Sequence, residues 1–129
     1  MGITGYPYVT GDILTATDMN VLVQYDVQTQ TADYTAALND SYQELQVMNK
    51  ATAIAFKIPT DASVAFPTGT VLTILNIGAG TCTISATTSG TTTVLSAGAV
   101  AASPTLAQYK SAACIKTSAN TWYVVGGIA

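Results

Sequence analysis

This 129-residue sequence lacks two residue types and has few charged residues. It contains no histidine and no arginine, and only 9% of its residues are charged, against about 25% in an average soluble domain. The absence of histidine excludes histidine-based catalytic triads, Cys-His nucleophile pairs and His-containing zinc sites. Four lysines and a net charge of −3 provide no basic surface for a phosphate backbone. We therefore expect no nucleic-acid partner.

Long apolar runs are also missing. None approaches the ~20 residues of a membrane helix, and the start of the chain lacks the basic and apolar regions of a signal peptide. We expect a soluble protein made in the cytoplasm, with no membrane partner. The two cysteines, Cys82 and Cys114, lie in alternating apolar segments, which favours small buried side chains, and a disulfide between them stays open.

Few residues remain that could support catalysis. The glycine-rich stretch at 78–80 has no neighbouring lysine, so it predicts a turn and not a phosphate loop. Paired carboxylates are the one open option, but each candidate lies in turn-like sequence, where Asp commonly bonds to its own backbone. The sequence therefore predicts a protein that is not an enzyme and has no cofactor and no metal. The carboxylates considered are Asp33, Asp40, Glu44 and Asp61.

The N-terminal segment has two predicted parts. Residues 1–11 contain glycines, a proline and two tyrosines without a regular period, which indicates an extended arm. Thr15 and Asp18 then fit a helix-capping pattern, and a narrow apolar stripe predicts one short helix. We interpret residues 1–30 as an anchoring segment, with packing on the chain's own sheet as the alternative. The candidate anchoring residues are Tyr6, Pro7, Tyr8, Val9, Met19, Leu22 and Val23.

From about residue 31 the apolar period changes to two, which is typical of β-strands. Residues 52–58 and 121–125 alternate clearly, while residues 71–77 are apolar on both faces, as in a central strand or one at a subunit contact. Turns at 78–80 and 118–120 each predict a hairpin. The expected fold is mainly β, an antiparallel β-sandwich or jelly-roll-like barrel over residues 31–129. The candidate oligomer-interface residues are Val71, Thr73, Leu75 and Ile77.

Two groups of motifs carry a family resemblance. The first is a Gly-x-x-Leu-Thr-Ala-x-Asp-x-Asn pattern at residues 11–20, which resembles the opening of many tailed-bacteriophage virion proteins. The second is similar to a small β-module of phage tail fibres, head fibres and decoration proteins. It consists of Met48-Asn49, Ile58-Pro59, Phe66-Pro67-x-Gly69-Thr70, the segment 78–84, Ile115-Lys116, Asn120-Thr121-Trp122 and Gly126.

The resemblance implies a virion structural protein that forms trimers and contacts the major capsid protein or another virion protein. Because the module is nearly the whole chain, we expect a capsid decoration (cement) protein, with a short tail, neck or head fibre as the alternative. A sugar-binding module using Trp122 and Tyr123 is a third hypothesis, but strand alternation places these two rings on opposite faces.

Overall fold

The computed structural model describes residues 24–96 and 103–128. The predicted anchoring residues and the predicted helix lie outside these ranges. The described elements are a 3-10 helix and ten strands, whose bounds are β1 (Asp26–Gln30), β2 (Tyr34–Thr35), the 3-10 helix (Leu38–Ser41), β3 (Glu44–Met48), β4 (Ile54–Ile58), β5 (Val71–Asn76), β6 (Cys82–Ala86), β7 (Thr93–Leu95), β8 (Thr105–Leu106), β9 (Lys110–Ser118) and β10 (Thr121–Gly126).

The first six strands alternate between two sheets. Strands β1, β3 and β5 are parallel neighbours in a six-stranded sheet, here called sheet A, with the order β1-β3-β5-β9-β10-β7. Strands β2, β4 and β6 are parallel neighbours in a four-stranded sheet, sheet B, with the order β2-β4-β6-β8. The chain thus forms a flattened coil that advances by one strand in each sheet per turn, as in a parallel β-helix.

The last two turns of the coil share one register. Leu45 pairs with Thr73 in sheet A and Ile54 pairs with Cys82 in sheet B, and both pairs are 28 residues apart. The corner at residues 77–81 therefore lies directly on the preceding corner. A Cβ atom at Gly80 would overlap the backbone of Thr52, so this close approach requires glycine.

The remaining strands close the coil in mixed orientation. Strands β9 and β10 form an antiparallel hairpin in sheet A; β9 pairs antiparallel with β5, and β7 pairs parallel with β10 at the sheet edge. In sheet B, β8 pairs antiparallel with β6. The turn predicted at residues 118–120 is confirmed as a hairpin, with Asn120 at a positive φ of 49°.

The two sheets enclose one apolar core. Phe56 and Ile84 of sheet B meet Leu72 and Trp122 of sheet A, and all four are essentially inaccessible to solvent. Phe66, in the loop between β4 and β5, packs edge to face against Trp122 with ring centroids 5.5 Å apart. The predicted alternation of residues 54–58 is confirmed, with Ile54, Phe56 and Ile58 buried.

The expectation of a mainly β fold is confirmed. The sheets are mixed, since five of the eight strand pairs are parallel and three are antiparallel, so the expected antiparallel arrangement holds for those three pairs only. The hairpin predicted at residues 78–80 is instead a corner where the chain leaves sheet A for sheet B. Residues 26–30, assigned to the anchoring segment, form an edge strand of sheet A, so the β-module begins before residue 31. A two-residue period reports which side chains are buried and carries no information on strand direction, which explains why the parallel pairs and the corner at residues 78–80 were not predicted.

Candidate subunit interface

The outer surface of sheet A carries several exposed apolar side chains. Strand alternation sends one set of side chains into the core and the other set outward. On β10, Trp122 and Val124 are buried while Tyr123 and Val125 are exposed. The apolar side chains with the highest exposure on this surface are Val27 (57%), Val125 (49%), Val71 (46%) and Tyr123 (44%).

Strand register arranges the outward side chains of sheet A in rows. One row crosses four strands and holds Val71, Ile115, Tyr123 and Leu95, since Val71 pairs with Ile115 and Tyr123 pairs with both Ile115 and Leu95. All four are large apolar or aromatic side chains. This row, which we call the ridge, is therefore a continuous apolar line across the sheet.

The middle of the face carries smaller side chains. In the next row, Thr73 pairs with Ala113, between the larger Leu45 on β3 and Val125 on β10. The smallest side chains of this row, Thr73 and Ala113, therefore lie at its centre.

The same face carries no charge. None of the outward positions of the six strands of sheet A, within the described ranges, is an Asp, Glu or Lys. The one lysine in the middle of β9, Lys116, points inward and is 4% exposed. Sheet B differs, because its outward positions include the charged Lys57. We refer to the uncharged outer surface of sheet A as the outer face.

The structure brings most of the predicted interface residues together. Val71, Thr73 and Leu75 all point outward from β5, the third strand of sheet A, and Ile77 follows the strand at the corner, where it is half-buried. The sequence did not identify Ile115, Leu95 and the residues of β10 as members of the same surface. Their period of two was visible, but the adjacency of β5, β9, β10 and β7 depends on pairing between distant segments.

The candidate catalytic carboxylates make hydrogen bonds that stabilise the fold. Asp40 is buried and accepts hydrogen bonds from the hydroxyl of Tyr34 at 2.7 Å, the side-chain amide of Gln46 at 2.8 Å and the backbone N–H of Ala37 at 2.8 Å. Burial and the hydrogen bond to Asp40 raise the pKa of Tyr34 well above its usual range. Burial likewise raises the pKa of Glu44. Asp40 thus fixes the 3-10 helix to the coil.

The other two carboxylates also hold backbone. Asp33 accepts from the backbone N–H of Ala55 at 3.0 Å. Asp61 accepts from the ammonium of Lys116 at 2.7 Å and from the backbone N–H of Asn120 at 3.1 Å. The hydrogen bond from Lys116 lowers the pKa of Asp61. Such bonds stabilise loops and corners of the fold.

Both cysteines are free and fully buried. Burial raises the pKa of the Cys82 thiol to about 11, and it raises the pKa of the Cys114 thiol further. A thiol of raised pKa is a poor nucleophile because the reactive thiolate is scarce near neutral pH. The prediction of small buried side chains at these positions is confirmed.

Two further features bear on possible ligands. Trp122 is fully buried, so it cannot share a sugar-stacking surface with the exposed Tyr123. Among the described residues, no group of three or more His, Cys, Asp or Glu side chains is placed to hold a metal ion, and no helix is long and apolar enough to cross a membrane.

The chain matches no protein-family profile, no curated protein and no solved structure at a significant level.

Proposed function

We propose that this chain is a bacteriophage virion structural protein, a capsid decoration protein that stabilises the head shell as a trimer. The resemblance of residues 11–20 and of the β-module motifs supports the class of protein. In the proposal, residues 1–30 include the segment that attaches to the major capsid protein. The β-module supplies the contacts that join neighbouring copies.

The uncharged outer face is the observation that carries this proposal. Contiguous exposed apolar surface on a soluble domain is typical of a protein-protein interface. Here Val71, Tyr123 and Val125 are each at least 44% exposed on one side of a single sheet. Burying such side chains contributes roughly 25 cal/mol per Å² of apolar area removed from water, which would reinforce a shell under internal pressure.

The hydrogen bonds of the polar side chains within the fold support a mechanical role. Asp40 and Asp61 are occupied by hydrogen bonds that hold the 3-10 helix and a loop, and Lys116 is neutralised inside the fold. These are the contacts of a rigid scaffold. They leave the exposed apolar side chains of the outer face for contacts with other molecules.

Binding to capsids tests the proposal. Purified protein is mixed with phage heads that lack it, and the heads are pelleted and washed. We expect saturable binding, abolished by deletion of Met1 to Thr10 when circular dichroism shows an intact β-module. Undiminished binding of the deletion variant contradicts the anchoring role, and no binding of the full chain contradicts the decoration role.

The position of the protein in the virus particle distinguishes a decoration protein from a short fibre protein. Antibody labelling of virions over the head shell supports decoration. Labelling over the tail or neck supports a short fibre protein, which is the alternative that the same resemblance allows.

A further inference from the structure

We propose that strand β1 binds an extended segment of the major capsid protein, which adds to the edge of sheet A as a further strand. This names a contact through which the protein would attach to the shell, and it rests on the proposed function. The observations that favour it are the length of this edge, the direction of its backbone groups, its side chains and the position of β1 in the chain.

Length distinguishes β1 from the other sheet edges of the described chain. Sheet A ends at β1 and β7, and sheet B ends at β2 and β8. Strand β1 has five residues, whereas β7 has three and β2 and β8 have two each. Very short edge strands are one way in which natural proteins prevent pairing with other chains. Among the described edges, β1 alone is long enough to pair over several residues.

The sequence of β1 also lacks the common obstacles to pairing. Residues Asp26–Gln30 include no proline and no lysine, and all five pair with β3 in one continuous register. The one charged residue, Asp26, lies at the first position and accepts a hydrogen bond from the side-chain amide of Gln28 at 3.0 Å. Proline, lysine and bulges are devices that block edge strands. The rest of β1 is therefore an uncharged edge that a further strand can follow.

The backbone of β1 shows which groups are available to a partner. The N–H of Asp26 and the carbonyl of Gln30 make hydrogen bonds of 2.8 and 2.9 Å to residues that flank β3. In a parallel pair every second residue directs both backbone groups to the neighbouring strand, so Gln28 also faces β3. Val27 and Thr29 therefore direct their N–H and C=O groups toward the edge at which no described strand pairs. An added strand would bond to these four groups, as in other cases of strand addition.

The side chains of β1 define the chemistry of the added segment. Val27 points to the outer face and is 57% exposed, so it offers an apolar contact to a strand beside it. On the inward side, the amide of Gln28 donates to Asp26 and the amide of Gln30 donates to Gln46, both at 3.0 Å. This side of the edge is therefore polar. We expect the added segment to be extended, with apolar and polar side chains in alternation.

A different protein is the best source of the added strand. The other described edges of this chain offer only two or three residues each, too few to match β1. Two β1 edges that paired with each other would close a pair of copies, which does not build the proposed trimer. Strand β1 also lies within the segment 1–30 that is proposed to attach to the shell, so a strand of the major capsid protein on β1 would extend that attachment.

Binding of variants to phage heads that lack the protein tests the inference. Thr29→Pro removes an N–H that points to the open edge and spares the hydrogen bonds to β3, and proline is tolerated at such edge positions. We expect the affinity for heads to fall at least ~10-fold. Thr29→Val is the matched control, because it keeps the N–H and a branched side chain, and it should bind like the wild type. Circular dichroism and thermal unfolding establish that both variants are folded.

Hydrogen exchange of the wild type is a second measurement that needs no variant. In the free protein, the amides of Val27 and Thr29 should exchange rapidly, while those of Asp26, Gln28 and Gln30 are protected by hydrogen bonds to the chain around β3. Mass spectrometry of the peptide that covers residues 24–30 should show about two further protected amides when the protein is bound to heads.

The results distinguish the inference from the proposed function. Folded Thr29→Pro that binds heads at wild-type strength overturns the inference and leaves the proposed function standing. Bound wild type without added protection at residues 24–30 does the same. Protection of Val27 and Thr29 in the free protein means that this chain, or a second copy of it, covers the edge, and it also overturns the inference. A wild type that does not bind heads contradicts the proposed function, and the inference falls with it.

Discussion

The ammonium of Lys116 on β9 lies 2.7 Å from Oδ1 of Asp61 and donates a second hydrogen bond to the carbonyl of Phe66. Asp61 also accepts from the backbone N–H of Asn120, and its own N–H donates to the Asn120 side chain at 2.9 Å. These bonds join the loop between β4 and β5 to the β9–β10 hairpin. The loop carries Phe66, so the ion pair also holds Phe66 against the core.

Replacing Asp61 by Ala should destabilise the protein. The Lys116 side chain is 4% exposed, and it would be left with only a backbone carbonyl as partner. Breaking a buried pair in this way costs about 3–5 kcal/mol, and because Asp61 is 28% exposed we expect the lower end, about 3 kcal/mol. Urea unfolding followed by the fluorescence of Trp122 measures the change.

Lys116→Met distinguishes the charge from the packing. This variant removes the buried ammonium, keeps an apolar side chain of similar length, and leaves Asp61 partly solvated. We expect a loss of about 1 kcal/mol, clearly smaller than for Asp61→Ala. Equal losses in the two variants would contradict the view that an unpaired buried lysine dominates the cost.

The same ion pair predicts a dependence on pH. The hydrogen bond from Lys116 lowers the pKa of Asp61 in the folded state, so the folded protein favours the ionised carboxylate more than the unfolded chain does. The resulting stability is fully present above the unfolded pKa of about 3.9 and is lost as pH falls through the lower folded pKa. The difference in melting temperature between wild type and Asp61→Asn should therefore shrink below about pH 4. A difference that stays constant down to pH 2 would contradict the assignment.

The buried thiols predict slow chemical labelling. With the pKa of Cys82 raised to about 11 and that of Cys114 raised further, both thiols are neutral at pH 8 and are shielded from solvent. Reaction with a maleimide should follow global unfolding, with no fast phase in the native protein and two equivalents taken up in 6 M guanidinium. Rapid modification of either thiol under native conditions would mean that the two sheets open locally.

The corner glycine offers a test of the coil. Gly80→Ala should cost more than about 3 kcal/mol, because its Cβ would overlap the backbone of Thr52 in the preceding turn. Gly90→Ala is the control: its φ of +90° is strained for alanine, but no atom lies within 4 Å of the added Cβ. We expect it to lose only about 1 kcal/mol. Similar values for both variants would show that the two corners do not touch.

Local patterns in the sequence predicted which side chains are buried. The alternation of Ile54, Phe56 and Ile58, and of Trp122 and Val124, follows from the two-residue period of a strand, and these residues form the core. The end of β4 before Pro59 follows from the missing backbone donor of proline. Features that depend on one segment alone could therefore be predicted from the sequence.

The coil could not be predicted from the sequence, because it depends on segments 28 residues apart that share a pattern but few residue types. Phe56 lies beside Ile84, and Met48 lies beside Asn76, whose side-chain amide binds the carbonyls of Gly80 and Leu106. The glycine at position 80 correctly predicted a change of chain direction. The physical reason for the glycine is different, because a Cβ atom at this position would overlap the backbone of Thr52. The outer face could not be predicted either, because its rows join four strands from distant parts of the chain.

A cryo-electron microscopy reconstruction of the virion tests whether this chain decorates the head shell, since it shows both the position of the chain and the surroundings of the outer face. Our account predicts density for this fold on the head shell, with Val71, Tyr123 and Val125 covered by a neighbouring copy. A head shell without this chain, or one in which the outer face of sheet A is turned toward solvent, would contradict the account.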